Sequence, residues 1–159
     1  MNAAASDELY SLMIPLTEER LILPRACIAE VVAWRQPDVV PNTPRWHLGT
    51  IDWNDRVVPV ISFEAVCGKG IPAAGVRSRI VVCVGMTGKL DVGYFGMVTQ
   101  GFPQLVRLSP DLVKPDPNQP SFGQQPILCQ VRMINEAPLI PDFEKIESMI
   151  DEALRNQPA

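Results

Sequence analysis

Residues 41–64 read PNTPRWHLGTIDWNDRVVPVISFE, and this stretch decides the fold. Two mainly apolar runs, residues 48–53 and 56–63, flank the dipeptide Asn54-Asp55. Asn and Asp are the non-glycine residues that best tolerate the positive φ angles of a tight hairpin turn. The stretch therefore predicts two antiparallel strands joined by a two-residue turn.

A two-residue turn fixes which residues of the two strands face each other. It sets Trp53 opposite Arg56 and Ile51 opposite Val58, with both pairs on one face of the hairpin. We expect the flat guanidinium of Arg56 to stack on the Trp53 ring and stay oriented there. Pro59 cannot donate a hydrogen bond to a neighbouring strand, so we expect a free edge or a bulge at this position.

Similar short apolar runs, bounded by turn residues, occur on both sides of this hairpin. They predict strands over residues 9–16, 21–23, 79–85, 89–98, 127–134 and 139–140. The fold class is therefore mainly all-β, with two small antiparallel barrels. The glycine-rich segment 68–75 is the predicted boundary, giving a first lobe over about 8–68 and a second over about 78–140, with the junction between residues 68 and 78.

Two segments show helical spacing. In RACIAEVVAW, residues 25–34, Ile28, Val31 and Val32 fall at i, i+3 and i+4, which predicts a short helix with Glu30 facing outward. Residues 142–156 have an apolar stripe and a candidate N-cap in Asp142, which predicts a C-terminal helix. We interpret its acidic residues as a solvated face: Asp142, Glu144, Glu147, Asp151 and Glu152.

Charge and composition argue against several classes of function. The 159 residues carry a formal net charge of −4, which argues against nucleic acid as a partner, because backbone binding relies on many Lys and Arg contacts. The N-terminus lacks the basic and apolar regions of a signal peptide, and no apolar run approaches the length of a membrane span. We therefore expect a cytoplasmic protein with reduced cysteines and no direct membrane insertion.

Candidate catalytic chemistry is sparse. His47 is the only histidine, and we expect it to be a partly buried structural residue. No metal-binding spacing or phosphate loop occurs, so no metal and no cofactor is predicted. Two alternatives stay open: a small-barrel enzyme or ligand sensor that uses Cys67 or Cys83 with His47, and a nucleic-acid-binding small barrel. The residues favour a protein-binding module over an enzyme, because Trp and Arg beside a turn are typical of protein interfaces.

The chain also resembles a known family, the CheW-like domains, which are adaptors that couple chemoreceptors to a chemotaxis histidine kinase. The resemblance covers roughly residues 8–150. The segments that carry it are 23–24, 28–32, 41–44, 46–53, 58–63, 93–98 and 139–142, which read LP, IAEVV, PNTP, WHLGTIDW, VPVISF, GYFGMV and LIPD.

This resemblance implies two five-stranded SH3-like barrels around a shared hydrophobic core, and a non-catalytic function. It implies two partners: the regulatory domain of a CheA-like histidine kinase, met through barrel-to-barrel contact, and the cytoplasmic tip of a methyl-accepting chemoreceptor, taken near the groove between the lobes. The partner-binding residues it suggests, together with the hairpin, are Ile28, Glu30, Val31, Trp53, Asn54, Asp55 and Arg56.

The sequence departs from the family pattern at two places. The family usually has an Asn-Leu-Arg-Gly turn where this chain has Asp52-Trp53-Asn54-Asp55, so the arginine position is Asn54 and Arg56 lies two positions further on. The Val-Asp pair that follows the glycine strand is here Thr99-Gln100. With these departures, the chain resembles the divergent CheW-like adaptors of type IV pilus, or twitching motility, chemosensory systems.

Overall fold

A computed structural model describes residues 9–109, 114–118 and 120–156. These residues form mainly β-strands, as predicted. The strands are β1 Leu9–Pro15, β2 Arg20–Pro24, β3 Ile28–Ala33, β4 His47–Trp53, β5 Arg56–Ile61, β6 Arg79–Val84, β7 Tyr94–Thr99, β8 Gln104–Leu108, β9 Lys114–Pro115, β10 Ile127–Arg132 and β11 Leu139–Pro141. Two α-helices, α1 Phe63–Val66 and α2 Phe143–Arg155, complete the regular structure, with a 3-10 turn at Arg25–Cys27.

The strands make two sheets. The first has the order β8-β1-β2-β11-β10-β9, and the second has the order β3-β6-β7-β5-β4. Neighbouring strands are antiparallel except for one parallel pair in each sheet, β2 with β11 and β5 with β7. In the second sheet the parallel pairing starts at Val60, directly after Pro59. The missing N–H of Pro59 therefore falls where β5 gains its second neighbour.

The predicted lobe boundaries are wrong. One sheet is built from residues 28–99, whereas the other joins residues 9–24 to residues 104–141. The segment 68–78 therefore connects two strands of the same sheet, β5 and β6. The alternation of apolar and polar residues predicts where a strand lies but not which strand it pairs with. The pairings of β1 with β8 and of β2 with β11 join residues that are far apart in sequence.

The predicted helix over residues 25–34 is also wrong, because Ile28–Ala33 is strand β3. It pairs with β6, and the register shifts between Ile28 and Glu30. The extra residue of this β-bulge interrupts the two-residue alternation. As a result, the apolar residues fall at positions 28, 31 and 32, a spacing that resembles one face of a helix.

Three hydrophobic clusters hold the sheets together. A large cluster lies between them and also takes the apolar face of α2 through Phe143, Ile146 and Ile150. The second sheet encloses its own cluster, around Ile51, Val58, Val60, Ile80 and Val98. The first sheet encloses a smaller one around Met13, Ile22 and Val131. This is the arrangement of two small lobes that share one core.

The C-terminal helix is confirmed, with the predicted cap. The Asp142 side chain accepts a hydrogen bond from Lys145 N at 3.1 Å, and Glu144 lies in the first turn, where it complements the helix dipole. The expectation of a fully solvated acidic face is wrong at Glu147, which has no exposed surface. Its carboxylate instead binds the turn after β6.

Candidate partner-binding surface

The β4–β5 hairpin has the predicted geometry. Trp53 pairs with Arg56, Ile51 with Val58 and Asp52 with Val57. The turn residues Asn54 and Asp55 have φ angles of 50° and 60°. Positive φ at both central positions is the mark of a type I′ turn, which suits the twist of a two-residue hairpin. Asn54, Asp55 and Arg56 are all exposed, so the tip projects into solvent.

Four side chains at this end of the second sheet form what we call the rim cluster: Glu30, Trp53, Arg56 and Tyr94. Trp53 Nε1 donates to Glu30 Oε1 at 2.9 Å. The Trp53 ring meets the Tyr94 ring edge-on, with 4.9 Å between centroids. Each aromatic ring is half-buried against the cluster inside the second sheet. The rim cluster therefore combines an apolar base with charged groups at the surface.

The expected stacking of Arg56 on Trp53 is wrong. The Arg56 guanidinium lies over the Tyr94 ring, 5.2 Å from its centroid, and Nη1 donates to Val92 O at 3.4 Å. Trp53 is instead turned towards Glu30, because its indole N–H finds an acceptor there. Arg56 forms no ion pair with Glu30 among the described residues. The predicted neighbours on the hairpin thus share Tyr94 as a common contact.

Of the predicted partner-binding residues, the structure brings five together at the rim: Glu30, Trp53, Asn54, Asp55 and Arg56. Ile28 and Val31 are on the same strand as Glu30 but pack, half-buried, against the large cluster between the sheets. Sequence reasoning missed Tyr94. It belongs to the rim because β7 pairs with β6, which pairs with β3, and no local pattern signals those pairings.

A second surface feature, the junction groove, lies between the first sheet, the turn that follows β6 and α2. It has a volume of about 410 Å³. It is lined by the first sheet, the 3-10 turn, the turn after β6 and the start of α2, among them Leu23, Pro24, Cys27, Met86, Leu128 and Phe143. Met86 and Leu128 are 65% and 62% exposed. Because large apolar side chains are open to solvent beside an apolar groove, this surface suits contact with another apolar face.

Burial makes the thiols of Cys67 and Cys83 less reactive, and His47 is buried as well. Burial raises the pKa of Cys67 to about 11, with a smaller contribution from Glu19, and burial raises the pKa of the fully buried Cys83 well above its usual value. At neutral pH both groups are therefore thiols, whereas the nucleophile in cysteine catalysis is the thiolate. His47 is buried, and its Nδ1 lies 3.2 Å from Thr43 Oγ1. Within the described residues no cluster of three or more metal-ligating groups occurs.

His47 predicts a pH dependence of stability. Burial lowers the pKa of His47 below its usual value of 6.5, because the charged imidazolium is poorly solvated there. His47 therefore binds a proton more readily in the unfolded chain than in the folded chain. Because of this difference, the free energy of unfolding decreases as the pH falls below about 6.5. We expect the free energy of unfolding, measured by urea titration, to fall between pH 7.5 and pH 5.5. The variant His47→Gln should fall less over the same range, and parallel curves would contradict the prediction.

Comparison with known proteins agrees with this architecture. The sequence matches the CheW-like domain family over residues 11–149, and the chain belongs to that family. Among solved structures, the crystal structure of the scaffolding protein TtCheW from Thermoanaerobacter tengcongensis is similar, with a TM-score of 0.71 and 19% sequence identity. The similarity covers 84% of this chain and 88% of that chain. It confirms the predicted fold of two SH3-like barrels with a C-terminal helix. Among curated protein sequences none matches this chain.

None of the helices in the described part of the chain is both long and apolar enough to span a membrane.

Proposed function

We propose that this chain is a non-catalytic adaptor of a bacterial chemosensory pathway, which couples chemoreceptors to a CheA-like histidine kinase in the cytoplasm. The observation that carries this proposal is the family match, which spans residues 11–149 and therefore both barrels. The similar TtCheW is itself described as a scaffolding protein. A scaffold needs surfaces rather than a reaction centre, and the rim cluster and the junction groove are two such surfaces.

The rim cluster suits a partner-facing role because its side chains are already oriented. Glu30 and Trp53 hold each other through one hydrogen bond, and Arg56 lies over Tyr94. Side chains fixed before binding lose less conformational entropy when a partner docks. Trp, Tyr and Arg are also the residues that most often dominate binding energy at protein interfaces. We assign this rim to the contact with the kinase regulatory domain, barrel against barrel.

The junction groove suits the second partner, the helical tip of a chemoreceptor. Its exposed Met86 and Leu128 offer apolar contacts to an amphipathic helix, and methionine adapts easily to different partner shapes. The groove lies between the first sheet, α2 and the turn after β6, so a bound helix would contact the first sheet and this turn of the second lobe. Ile28 and Val31 would support this site indirectly, through the large cluster that underlies β3.

The two alternative functions lack comparable support. For an enzyme, the raised pKa values of Cys67 and Cys83 leave the thiols protonated at neutral pH. For a nucleic-acid-binding barrel, the net charge of −4 opposes approach to phosphates.

We further propose that the chain belongs to a divergent adaptor subgroup that serves type IV pilus, or twitching motility, systems. The support is the turn sequence Asp52-Trp53-Asn54-Asp55 and its structural consequence. Glu30 is satisfied by Trp53 rather than by an arginine. A rim that presents an indole and Arg56 in this way should prefer a partner that differs from the usual kinase domain at the facing surface. Binding to kinase domains from the two kinds of system, measured side by side, would test this assignment.

The variant Arg56→Ala tests the adaptor role. We expect it to weaken binding to the kinase regulatory domain by about tenfold, which corresponds to about 1.4 kcal/mol, because an oriented interface arginine loses both its charge and its stacking contact. The measurement is isothermal titration of the purified chain with the kinase domain. Glu30→Ala should also weaken binding and should change the free energy of unfolding by within about 0.5 kcal/mol, because Glu30 is exposed.

A matched control separates a specific contact from loss of charge. Arg132→Ala removes one positive charge from an exposed arginine of the other sheet and should bind the kinase domain as the unchanged chain does. If Arg56→Ala leaves binding to both the kinase domain and the receptor tip unchanged, the rim is not the interface. If the unchanged chain binds neither protein, the adaptor proposal itself is wrong.

A further inference from the structure

A separate cavity lies away from the rim cluster and the junction groove. It has a volume of about 290 Å³ and is formed by the turn between β1 and β2, by α1 and by the loop that follows α1. Leu16 and Phe63 of the large cluster form part of its wall, together with Cys67, Ile71 and Pro72. This volume is at the small end for ligand pockets, so the cavity suits a compact molecule with an apolar body.

One polar group in the cavity wall lacks a partner. Glu64 is only 6% exposed, and its Oε2 accepts a hydrogen bond from Thr17 N at 2.9 Å. The other carboxylate oxygen, Oε1, is buried with no hydrogen-bond partner. Buried polar atoms in folded proteins almost always have a partner, because a missing hydrogen bond to a buried carboxylate is costly. This oxygen has almost no accessible surface, so a donor that enters the cavity would satisfy it once the Glu64 carboxylate turns towards the cavity.

The charges around the cavity select the kind of donor. Three carboxylates line it, those of Glu18, Glu19 and Glu64, against the single ammonium of Lys69. Lys69 Nζ lies 2.9 Å from Glu19 Oε1 and 3.5 Å from Glu18 Oε2, so its charge is already engaged at the mouth. The excess of negative charge favours a cation and disfavours an anion. A hydrogen bond from a cation to a carboxylate is also stronger than one from a neutral donor.

We propose that this cavity binds a small protonated amine with a compact apolar body. The ammonium group donates to Glu64 Oε1, and the apolar body packs on Leu16 and Phe63. Neither surface of the proposed adaptor role uses these residues, so this site is independent of that role. It would give the protein a small-molecule ligand in addition to its protein partners.

Titration of the whole chain with phenethylamine tests the site, with 2-phenylethanol as the neutral probe of the same shape. We expect saturable 1:1 binding of the amine by calorimetry and none of the alcohol. Glu64→Gln keeps an acceptor for Thr17 N but turns a neutral amide towards the cavity, and it should weaken amine binding by at least about tenfold. Glu152→Gln makes the same charge change on the exposed side of α2 and should bind the amine normally.

Two further measurements complete the test. Bound phenethylamine should slow the alkylation of Cys67 by iodoacetamide, because Cys67 lines the cavity. The reaction is followed at that residue by mass spectrometry at about pH 9, where a small fraction of the Cys67 thiol is ionised and the amine is still mostly protonated. If Glu64→Gln does not fold, Ile71→Trp fills the cavity from an exposed loop position and should abolish binding. The proposal is overturned if the unchanged chain shows no saturable binding of the amine, if 2-phenylethanol binds equally well, or if a folded Glu64→Gln variant binds as tightly as the unchanged chain.

Discussion

Replacing Glu147 with alanine is expected to lower the free energy of unfolding by about 3 kcal/mol, because it removes the buried carboxylate that accepts three hydrogen bonds. Glu147 lies on α2 with no exposed surface. Its Oε2 accepts from Met86 N at 2.9 Å, and its Oε1 accepts from Thr87 N at 3.2 Å and from Thr87 Oγ1 at 3.0 Å. The carboxylate therefore ties the C-terminal helix to the turn after β6.

Alanine at position 147 would leave these donors without an acceptor and would leave space where the side chain was. Each buried donor without a partner costs about 1–3 kcal/mol, partly relieved where water reaches the turn. Because Met86 lines the junction groove, a loosened turn should also weaken contacts made through that groove. Glu147 is thus a positioning residue for one of the two proposed partner surfaces.

The measurement is urea unfolding of three variants beside the unchanged chain. Glu147→Gln keeps one acceptor oxygen and should lose about half as much stability as Glu147→Ala. Glu152→Ala removes an exposed acid of the same helix and should stay within about 0.5 kcal/mol of the unchanged chain. A loss below about 1 kcal/mol for Glu147→Ala would mean that water replaces the carboxylate, and the tether would not matter for stability.

The hairpin could be predicted from the sequence because its determinants are local. Asn54 and Asp55 choose the turn, and the turn fixes the pairing of Trp53 with Arg56. The cap of α2 is predictable for the same reason, since Asp142 and the residues that it caps are adjacent in sequence. In both cases the residues that decide the geometry lie within a few positions of one another.

The sequence-based predictions fail where contacts between residues that are distant in sequence determine the local structure. Strand β3 was predicted as a helix because its bulge breaks the alternation, and only pairing with β6 makes the segment a strand. Tyr94 joins the rim cluster through the order of the strands, which no local pattern encodes. Glu147 looks like one more acid of a solvated helix until the turn that it binds, about 60 positions earlier, is placed beside it. Long-range pairing is therefore what the sequence leaves open here.

The second large effect is expected at Gly49, in strand β4. Gly49 has φ +137°, a conformation that side chains disfavour, and a Cβ at this position would lie 2.2 Å from Asp38 O and 3.1 Å from Pro37 Cβ. Asp38 O accepts a hydrogen bond from Thr50 N at 2.9 Å, and Asp38 N donates to Thr50 O at 2.8 Å. These two bonds hold the segment after β3 against β4, so the backbone at Asp38 cannot retreat without breaking them.

We therefore expect Gly49→Ala to lower the free energy of unfolding by at least about 3 kcal/mol, from backbone strain together with a collision against main-chain atoms. Gly88→Ala is the matched control: Gly88 also has positive φ, +76°, but its Cβ would meet nothing within 4 Å. That variant should show the strain alone, about 1 kcal/mol. Because β4 leads directly into the hairpin tip, Gly49→Ala should also displace the rim cluster and weaken kinase-domain binding under conditions where the variant is still folded. Equal losses of stability for the two variants would show that Asp38 moves aside easily, and the close approach of β4 to this segment would then not be what fixes the hairpin in place.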